Sequence, residues 1–502
     1  MFGHLNLSQL NPAALAPQAS LAVLAATACA LCQPPRRIFR YLTSWPALAA
    51  LAVIASIDVP MVVIGYLAPC GAMQDTIGAG ELLAGRTAYP VEFQSVVRRV
   101  LKDNPVPTAP SWLAGIQASH LSCLYQLDLN AHPPLVPVVL APFVGWIGYF
   151  KPILLFEAIS LASLVFMIWL WSKAFAIRLA RKQWLLFLLV LLGSEPVFEV
   201  LRGAGLSGLL AALVVAVWYL MRTERNGSAG VVLGVAAGLK LFPIVAAGAM
   251  LFGRMRAVIA LALSCGAIVA GIVCLHGAGI FTDYAATAHA DAAEYGWFRN
   301  NYGLLANIRY FLRGDRTFLV PLLAVLCLAI CLISAFVLYR LRHSRAACCD
   351  FGMALAATLM CILPPVVWTH YFIILFLPLC VLSYYSKWWD SKWMSVAFFL
   401  ILAAVDQGGL PLEKLAGILH TEIVWSLPPL AVLCLFGLLC FQGLREASTA
   451  VAGGVTISTP QTSSQTLVQA GLSWTSTGKP VRTGFYSRAN PNTLRKKLDR
   501  IV

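Results

Sequence analysis

Charge is what this chain has least of. Only 11% of its 502 residues are charged and 60% are hydrophobic, with a mean hydropathy of +0.79. A soluble domain is about a quarter charged, so the composition excludes an ordinary soluble fold and indicates a polytopic membrane protein. Acids are scarcer than bases, 21 Asp and Glu against 36 Lys and Arg, for a net charge of +15. In a soluble chain that excess would suggest nucleic acid. Here the bases cluster between apolar runs, where they set membrane orientation instead, and no nucleic-acid partner is expected. The N-terminus, "MFGHLNLSQLNPAALAPQ", lacks a basic region ahead of the apolar run 20–32. This argues against a cleaved signal peptide and leaves that run as an extra span or a surface helix. Most of the 14 cysteines lie inside apolar runs and act as small apolar side chains. No Cys/His spacing suggests a metal. Cys70 and Cys123 share an outer-side loop and are the pair placed to form a disulfide. No internal repeat is visible.

Apolar segments run near 46–69, 152–174, 184–201, 205–221, 257–277, 317–341, 349–367, 371–386, 392–408 and 424–442, with 133–150 and 228–252 less clear. Between them stand Arg36/Arg37/Arg40, Arg178/Arg181/Lys182, Arg222/Arg225, Arg254/Arg256, Arg340/Arg342/Arg345, Lys387 and Arg445. The positive-inside rule asks that all of these share one face. A simple count of spans fails that test. It succeeds if the proline-rich "PPLVPVVLAPFVGWIGYF" (133–150) is an outer-surface or re-entrant segment. The stretch 228–252, with arginines at both ends, must also enter and return, turning near 238–243. Non-helical backbone at that depth requires a protein-buried or watery site. Lys240 sits at the turn, where a lysine near the bilayer centre costs about 2.5–3.5 kcal/mol on insertion scales.

These corrections give twelve membrane segments from residue 46 onward, or thirteen if the N-terminal run spans. The expected organisation is an N-terminal segment (1–45), a membrane domain (46–442) with outer loops 70–151 and 278–316, and a disordered basic cytoplasmic tail (443–502) that touches anionic lipid.

The first outer loop holds "MQDTIGAGELLAGRTAYP" (73–90) and ends in "NAHPPLVPVVLAPF" (130–143). Asp75 is an acid at the outer face, and its ordinary reading is an N-cap for the helix that follows. His132 before Pro-Pro reads equally as a turn residue. The second outer loop carries "WFRNNYGLLANIRYFLRG" (297–314), and a later turn has "LPPVVWTHYF" (363–372). With Lys240 these give one acid among basic and hydrogen-bonding groups at one membrane face. That set fits an anionic lipid-phosphate substrate with one proton acceptor and fits hydride, metal or P-loop chemistry poorly. Glu195 and Glu199 have Arg202 as an ion-pair partner, and Glu195 is also a candidate partner for Lys240.

"QDTIGAGELLAGRTAYP", "HPPLVPVVLAPF", "GVVLGVAAGLKLFPIV", "NNYGLLANIRYFLRG" and "PPVVWTHYF" occur in the order seen in glycosyltransferase family 87, and over residues 46 to about 386 the chain resembles that family. The resemblance implies an all-α GT-C fold of about 12–13 transmembrane helices with the active site on outer-side loops. It implies an integral-membrane hexosyltransferase moving a sugar, mannose first, from a polyprenyl-phosphate donor to a glycolipid or glycan acceptor. Asp75 then matches the catalytic base. Lys240, His370 and His132 match positions around the donor phosphate, and Asn301, Arg299, Asn300 and Arg202 match substrate-binding positions. Thr76-Ile77 follows the Asp where an aromatic is usual, and "NNYGLL" replaces "NQSL", which leaves the sugar and the acceptor open. No cofactor and no metal is expected, and a monomer in the inner membrane of a bacterium, with the site on the periplasmic face, is.

With the polyprenyl-phosphate donor that the resemblance implies, the mechanism is direct displacement with inversion, one carboxylate as general base and cations on the departing phosphate. A single acid speaks against the two-carboxylate arrangement of hydrolases. A transporter or flippase would also explain Lys240 and a broken helix, but it predicts internal repeats and short outer loops. Another membrane glycan enzyme, a polymerase or ligase, is the third reading.

Overall fold

The computed structural model describes residues 35–56, 70–108, 117, 130, 132–203, 205–296, 301–304, 306–308, 316–386, 392–406 and 426–452. Among these the secondary structure is helical, with no strand. Among the described residues four helices are long and apolar enough to cross a bilayer: Lys151–Ala174 (α6), Met255–His276 (α11), Leu319–Leu341 within Arg316–Leu341 (α13), and Leu427–Thr449 within Leu427–Ala452 (α17). The preceding helices are Pro35–Leu42 (α1), Trp45–Ser56 (α2), Cys70–Leu83 (α3), Phe93–Asp103 (α4) and Leu135–Ile147 (α5).

Several hydropathy segments are not single full-length helices. The one expected over 184–201 is Arg181–Leu192 (α7) and Glu195–Gly203 (α8), bent by 67° at Gly193–Ser194. Ser207–Arg222 (α9) has 16 residues. The segment expected over 349–367 is helical only as Arg345–Leu359 (α14), because Pro364 and Pro365 lack the backbone N–H a helix needs. After it, Thr369–Leu375 forms 3₁₀ turns leading into Phe376–Tyr385 (α15), followed by Lys392–Asp406 (α16). α17 runs to Ala452, past residue 443 where the tail was expected to begin, with alanines in "REASTAVA" favouring the helix. Residues 453–502, and with them most of the expected tail, lie outside the described residues, as do residues 13–32 and Cys123 with the Cys70 side chain.

α14 is the centre. Every residue from Ala347 to Leu359 is buried, the pattern of a helix enclosed by others on all sides. It packs against α9, α13, α15 and α17.

The stretch 228–252 enters and returns. Asn226–Leu239 (α10) ends at Lys240, whose backbone is extended (φ −156, ψ 135). Pro243 then starts a 3₁₀ turn, Phe242–Ala246, followed by one helical turn, Ala247–Met250. The chain returns far enough for Arg254 to donate to Asn226 Oδ1 (2.7 Å) and to the Met221 carbonyl (2.6 Å), beside the start of α10. α11 then rises parallel to α10. Gly230 abuts Ala257 and Leu261, Gly234 abuts Ser264, and Gly238 lies near Ile268. The absence of side chains on these glycines lets the two backbones touch; a Cβ at Gly230 would collide with the Ala257 carbonyl. Lys240 is therefore level with about residue 270 of α11, roughly 9 Å below its end at His276 at 1.5 Å per residue.

Other contacts gather the basic clusters at one end. Arg222 donates to the Ala174 carbonyl (3.0 Å) and to Asp350, Arg345 lies 3.6 Å from Glu224, the Tyr385 hydroxyl donates to Asp350 (2.7 Å), and Gln442 donates to the Tyr385 carbonyl (3.1 Å). Asp350 is fully buried and takes a third bond from Trp218 Nε1 (2.8 Å). The chain closes its bundle there with one carboxylate and three donors.

Candidate functional site

The opposite end carries the loops. α3 enters it directly, and Asp75 lies in its second turn, not at its N-terminus. The N-cap reading of Asp75 is corrected, since a residue inside the helix has no free backbone N–H to cap. α3 stops at Gly85, whose left-handed backbone (φ 70) lets Arg86 N–H reach the Glu81 carbonyl at 2.8 Å. Glu81, buried, then receives Arg86 Nε (2.6 Å) and Nη2 (2.7 Å) and Arg99 Nη2 (2.7 Å) from α4. The Arg86 hydrogen bond, with that of Arg99, holds the Glu81 carboxyl below its ordinary range against the opposing effect of burial. α3 is thus fixed in depth and rotation.

Asp75 is 1% exposed. His132 Nδ1 lies 2.8 Å and 2.9 Å from its two oxygens. A carboxylate can only accept, so Nδ1 carries the proton and cannot also accept from Gln74 Nε2, 3.2 Å away. The His132 backbone is held from both sides. Asn130 Oδ1 accepts from its N–H (3.3 Å), and the buried Tyr89 hydroxyl donates to its carbonyl (2.7 Å). Burial, with the charge of Asp75 second, raises the Tyr89 pKa and keeps that hydroxyl a donor. Gly78 allows this approach, because a Cβ there would stand 2.5 Å from Asn130 Nδ2. His132 is thus more than a turn residue: its Nδ1 is committed to Asp75, and Nε2 is the ring nitrogen left for the expected phosphate contact.

Lys240 faces the same site. Its ammonium stands 4.2 Å over the Tyr371 ring and 6.0 Å from that of Phe242. The carboxylates whose charge acts on it are Asp75 and Asp291; the alternative partner Glu195 is not among them. Glu195 sits at the start of α8, where its N–H donates to Asp406 Oδ1 (2.9 Å). Among the described residues no hydrogen bond or ion pair engages the Lys240 ammonium, so its three N–H donors remain open to a ligand. His370 is half-buried and meets the Tyr371 ring edge-on at 4.6 Å between centroids. Tyr371 therefore touches both expected phosphate ligands.

Asn301 is 1% exposed. Its Nδ2 donates to the carbonyls of Tyr295 (3.1 Å) and Pro365 (2.7 Å), and its Oδ1 accepts from Gly303 and Val367 N–H (both 2.9 Å). An amide has no further hydrogen to give. Asn301 ties the second outer loop to the turn that carries His370, which replaces the expected contact with sugar or phosphate. Arg299 and Asn300 lie outside the described residues. So does the Arg202 side chain, and with it the expected pairing to Glu195 and Glu199.

One acid was missed. Gly279–Tyr295 (α12) crosses this end, and its Asp291 is half-buried within Coulombic reach of Lys240 and His132. Burial pushes its carboxyl up to about 6, against the pull of Lys240 and His132. The sequence signal is weak, since "AHADAAEY" reads as an ordinary solvated helix face. The picture of a lone acid is corrected to two carboxylates flanking one ammonium.

Residues 130–365 match the family model of glycosyltransferase family 87. That match supports a membrane glycosyltransferase. The match takes in His132, Lys240 and Asn301, and the structure joins Asp75 and His370, outside it, to those residues. No curated protein and no solved structure matches the chain. The arrangement sets a buried carboxylate held by an imidazole near an ammonium that lies over an aromatic ring. Among the described residues no group of three or more His, Cys, Asp or Glu is placed to hold a metal.

Proposed function

We propose that this site transfers a sugar from a polyprenyl-phosphate donor to a hydroxyl of a glycolipid or glycan acceptor, with inversion. The observation that carries the reading is the Lys240 ammonium, held at membrane depth with open donors beside a buried Asp75–His132 pair. A cation at that depth finds its natural partner in a phosphate whose lipid tail lies in the bilayer.

The chemistry balances without a cofactor. The acceptor oxygen attacks the anomeric carbon while Asp75 takes its proton. The bond from that carbon to the phosphate oxygen breaks, and its electron pair leaves with the polyprenyl phosphate. Lys240, with His370 across Tyr371, stabilises the charge that develops there. The phosphate leaves without needing protonation, so a second carboxyl acting as general acid is not required. His132 Nδ1–H orients the Asp75 carboxylate. The bonding of both Asp75 oxygens to His132 also favours a second reading, in which Asp75 orients the imidazole and Nε2 takes the proton.

With the basic end cytoplasmic, the site opens on the outer face of a bacterial inner membrane, where mannose is the sugar the family resemblance points to. Purified protein incubated with synthetic polyprenyl-phosphate-mannose, -glucose and -arabinose and membrane acceptors tests the reading. Sugar transfer from at least one donor supports it; movement of the intact donor across vesicles without transfer would establish the flippase instead.

A further inference from the structure

α12 carries a carboxylate that the displacement leaves idle. Ile280, Tyr284, Asp291 and Tyr295 recur at intervals of four, seven and four, so they share one helix face. That face is anchored at both ends. Near its start Ile280 packs with Leu82, Ala88 and Tyr89, the Tyr284 and Tyr89 rings lie 5.6 Å apart, and Thr87 Oγ1 donates to Asp283 (2.6 Å). At its end the Tyr295 ring meets Trp368 at 5.8 Å, and its carbonyl accepts from Asn301. The helix therefore bridges the Asp75 loop and the His370 turn, roughly 17 Å apart along its axis. Asp291 lies on that face one turn before Tyr295, near enough for its charge to act on Lys240 and His132.

Its surroundings are those of a ligand contact. The charge of Asp291 acts on Lys240, His132, Tyr284 and Tyr371, yet among the described residues it forms no hydrogen bond or ion pair with any of them. A counter-ion of Lys240 would close to salt-bridge distance. A half-buried carboxylate held short of that distance needs donors from elsewhere. A pyranose brings adjacent hydroxyls at the spacing of the two carboxylate oxygens, and apolar C–H faces suited to the neighbouring Tyr284, Tyr371 and Trp368 rings.

We propose that Asp291 is a sugar-recognition residue, accepting hydrogen bonds from neighbouring hydroxyls of a sugar ring lying between α12 and Lys240. This rests on the reading of the site as a glycosyl-transfer site. The ring belongs either to the donor or to the acceptor, whose hydroxyl chemistry is the same.

The test is binding to the purified full chain, wild type and Asp291→Ala, using three ligands: polyprenyl phosphate, polyprenyl-phosphate-mannose and a mannose-bearing glycolipid. Charged-group hydrogen bonds are worth about 1.5–3 kcal/mol each, a factor of roughly 10–150. The expected result is a loss of at least tenfold in affinity for one sugar-bearing ligand, which names the source, with polyprenyl phosphate unchanged. Thr87→Val, which loosens the α12 clasp and keeps Asp291, should not reproduce that sugar-specific loss. The proposal is overturned if Asp291→Ala affects all three ligands alike or none, if Thr87→Val gives the same selective loss, or if the wild type gains nothing from the sugar. A wild type that binds the donor sugar selectively but transfers none overturns the transfer reading and leaves the Asp291 comparison intact.

Discussion

His132 Nδ1 lies 2.8 Å and 2.9 Å from the two oxygens of Asp75, and the contact joins residues 57 positions apart on two different segments of the outer end. It makes the acid a held group with a fixed direction instead of a helix cap. The first prediction follows from it. His132→Ala should lower turnover by about tenfold, less than the 10²–10⁴ expected for removing a general base. If His132→Ala removes as much activity as Asp75→Asn, with the double variant no worse than either, the imidazole is the proton acceptor and the second reading holds.

Lys240→Ala should weaken binding of polyprenyl phosphate itself, with or without a sugar, by tenfold or more, since it removes the ammonium with three open donors. Lys240→Arg should restore only part of that binding, because a larger planar guanidinium places its charge and donors differently from a compact ammonium. Calorimetric titration of detergent-solubilised protein reads both. Unchanged affinity in the alanine variant would remove Lys240 from the phosphate site.

Glu81 gives a pH prediction. Its folded pKa lies below the ordinary value of 4.5, so the bound carboxylate adds stability that is fully present above that value. The contribution is lost as pH falls through the lower folded value. Its arginine partners are half exposed, which limits the effect to about 1 kcal/mol. Thermal melts of wild type and Glu81→Gln should differ at pH 7, and the gap should narrow only as pH falls below the ordinary carboxyl value of 4.5. A gap that widens in acid would contradict the assignment.

Much of the frame is legible in the sequence. Arginines on both sides of 228–252 require the segment to return, and the contact of Arg254 with Asn226 shows the return. The clustering of bases at one end follows from the same rule, because membrane orientation depends on residue type and order alone. What hydropathy misses is length: Gly193–Ser194 and Pro364-Pro365 break apolar runs that average as spans. The site is legible only where a residue is conspicuous in its local solvent, as Lys240 is. Asp291 sits in a polar-looking helix, and nothing local says which face it presents. Asn301 looks like a ligand in sequence because its four backbone partners come from residues 295, 303, 365 and 367, contacts that only folding creates.

The basic end offers a stability prediction independent of function. Arg222→Ala leaves the fully buried Asp350 carboxylate without its cation, at a cost of about 3–5 kcal/mol. Arg222→Ala combined with Asp350→Ala should recover much of that loss, since the uncompensated charge is then gone. Unfolding in denaturant measures both. A single variant as stable as wild type would mean the pair contributes nothing.

The central claim is that the buried carboxylate of Asp75, held by His132, accepts the proton in sugar transfer from a lipid phosphate. The most direct measurement is turnover of Asp75→Asn with the polyprenyl-phosphate sugar that the wild type uses, with donor affinity measured on the same preparation. Asparagine keeps the shape and still accepts from His132, but it cannot take a proton. The account predicts donor affinity within a few-fold of wild type and turnover at least 100-fold lower. Near-normal turnover with donor bound would contradict it.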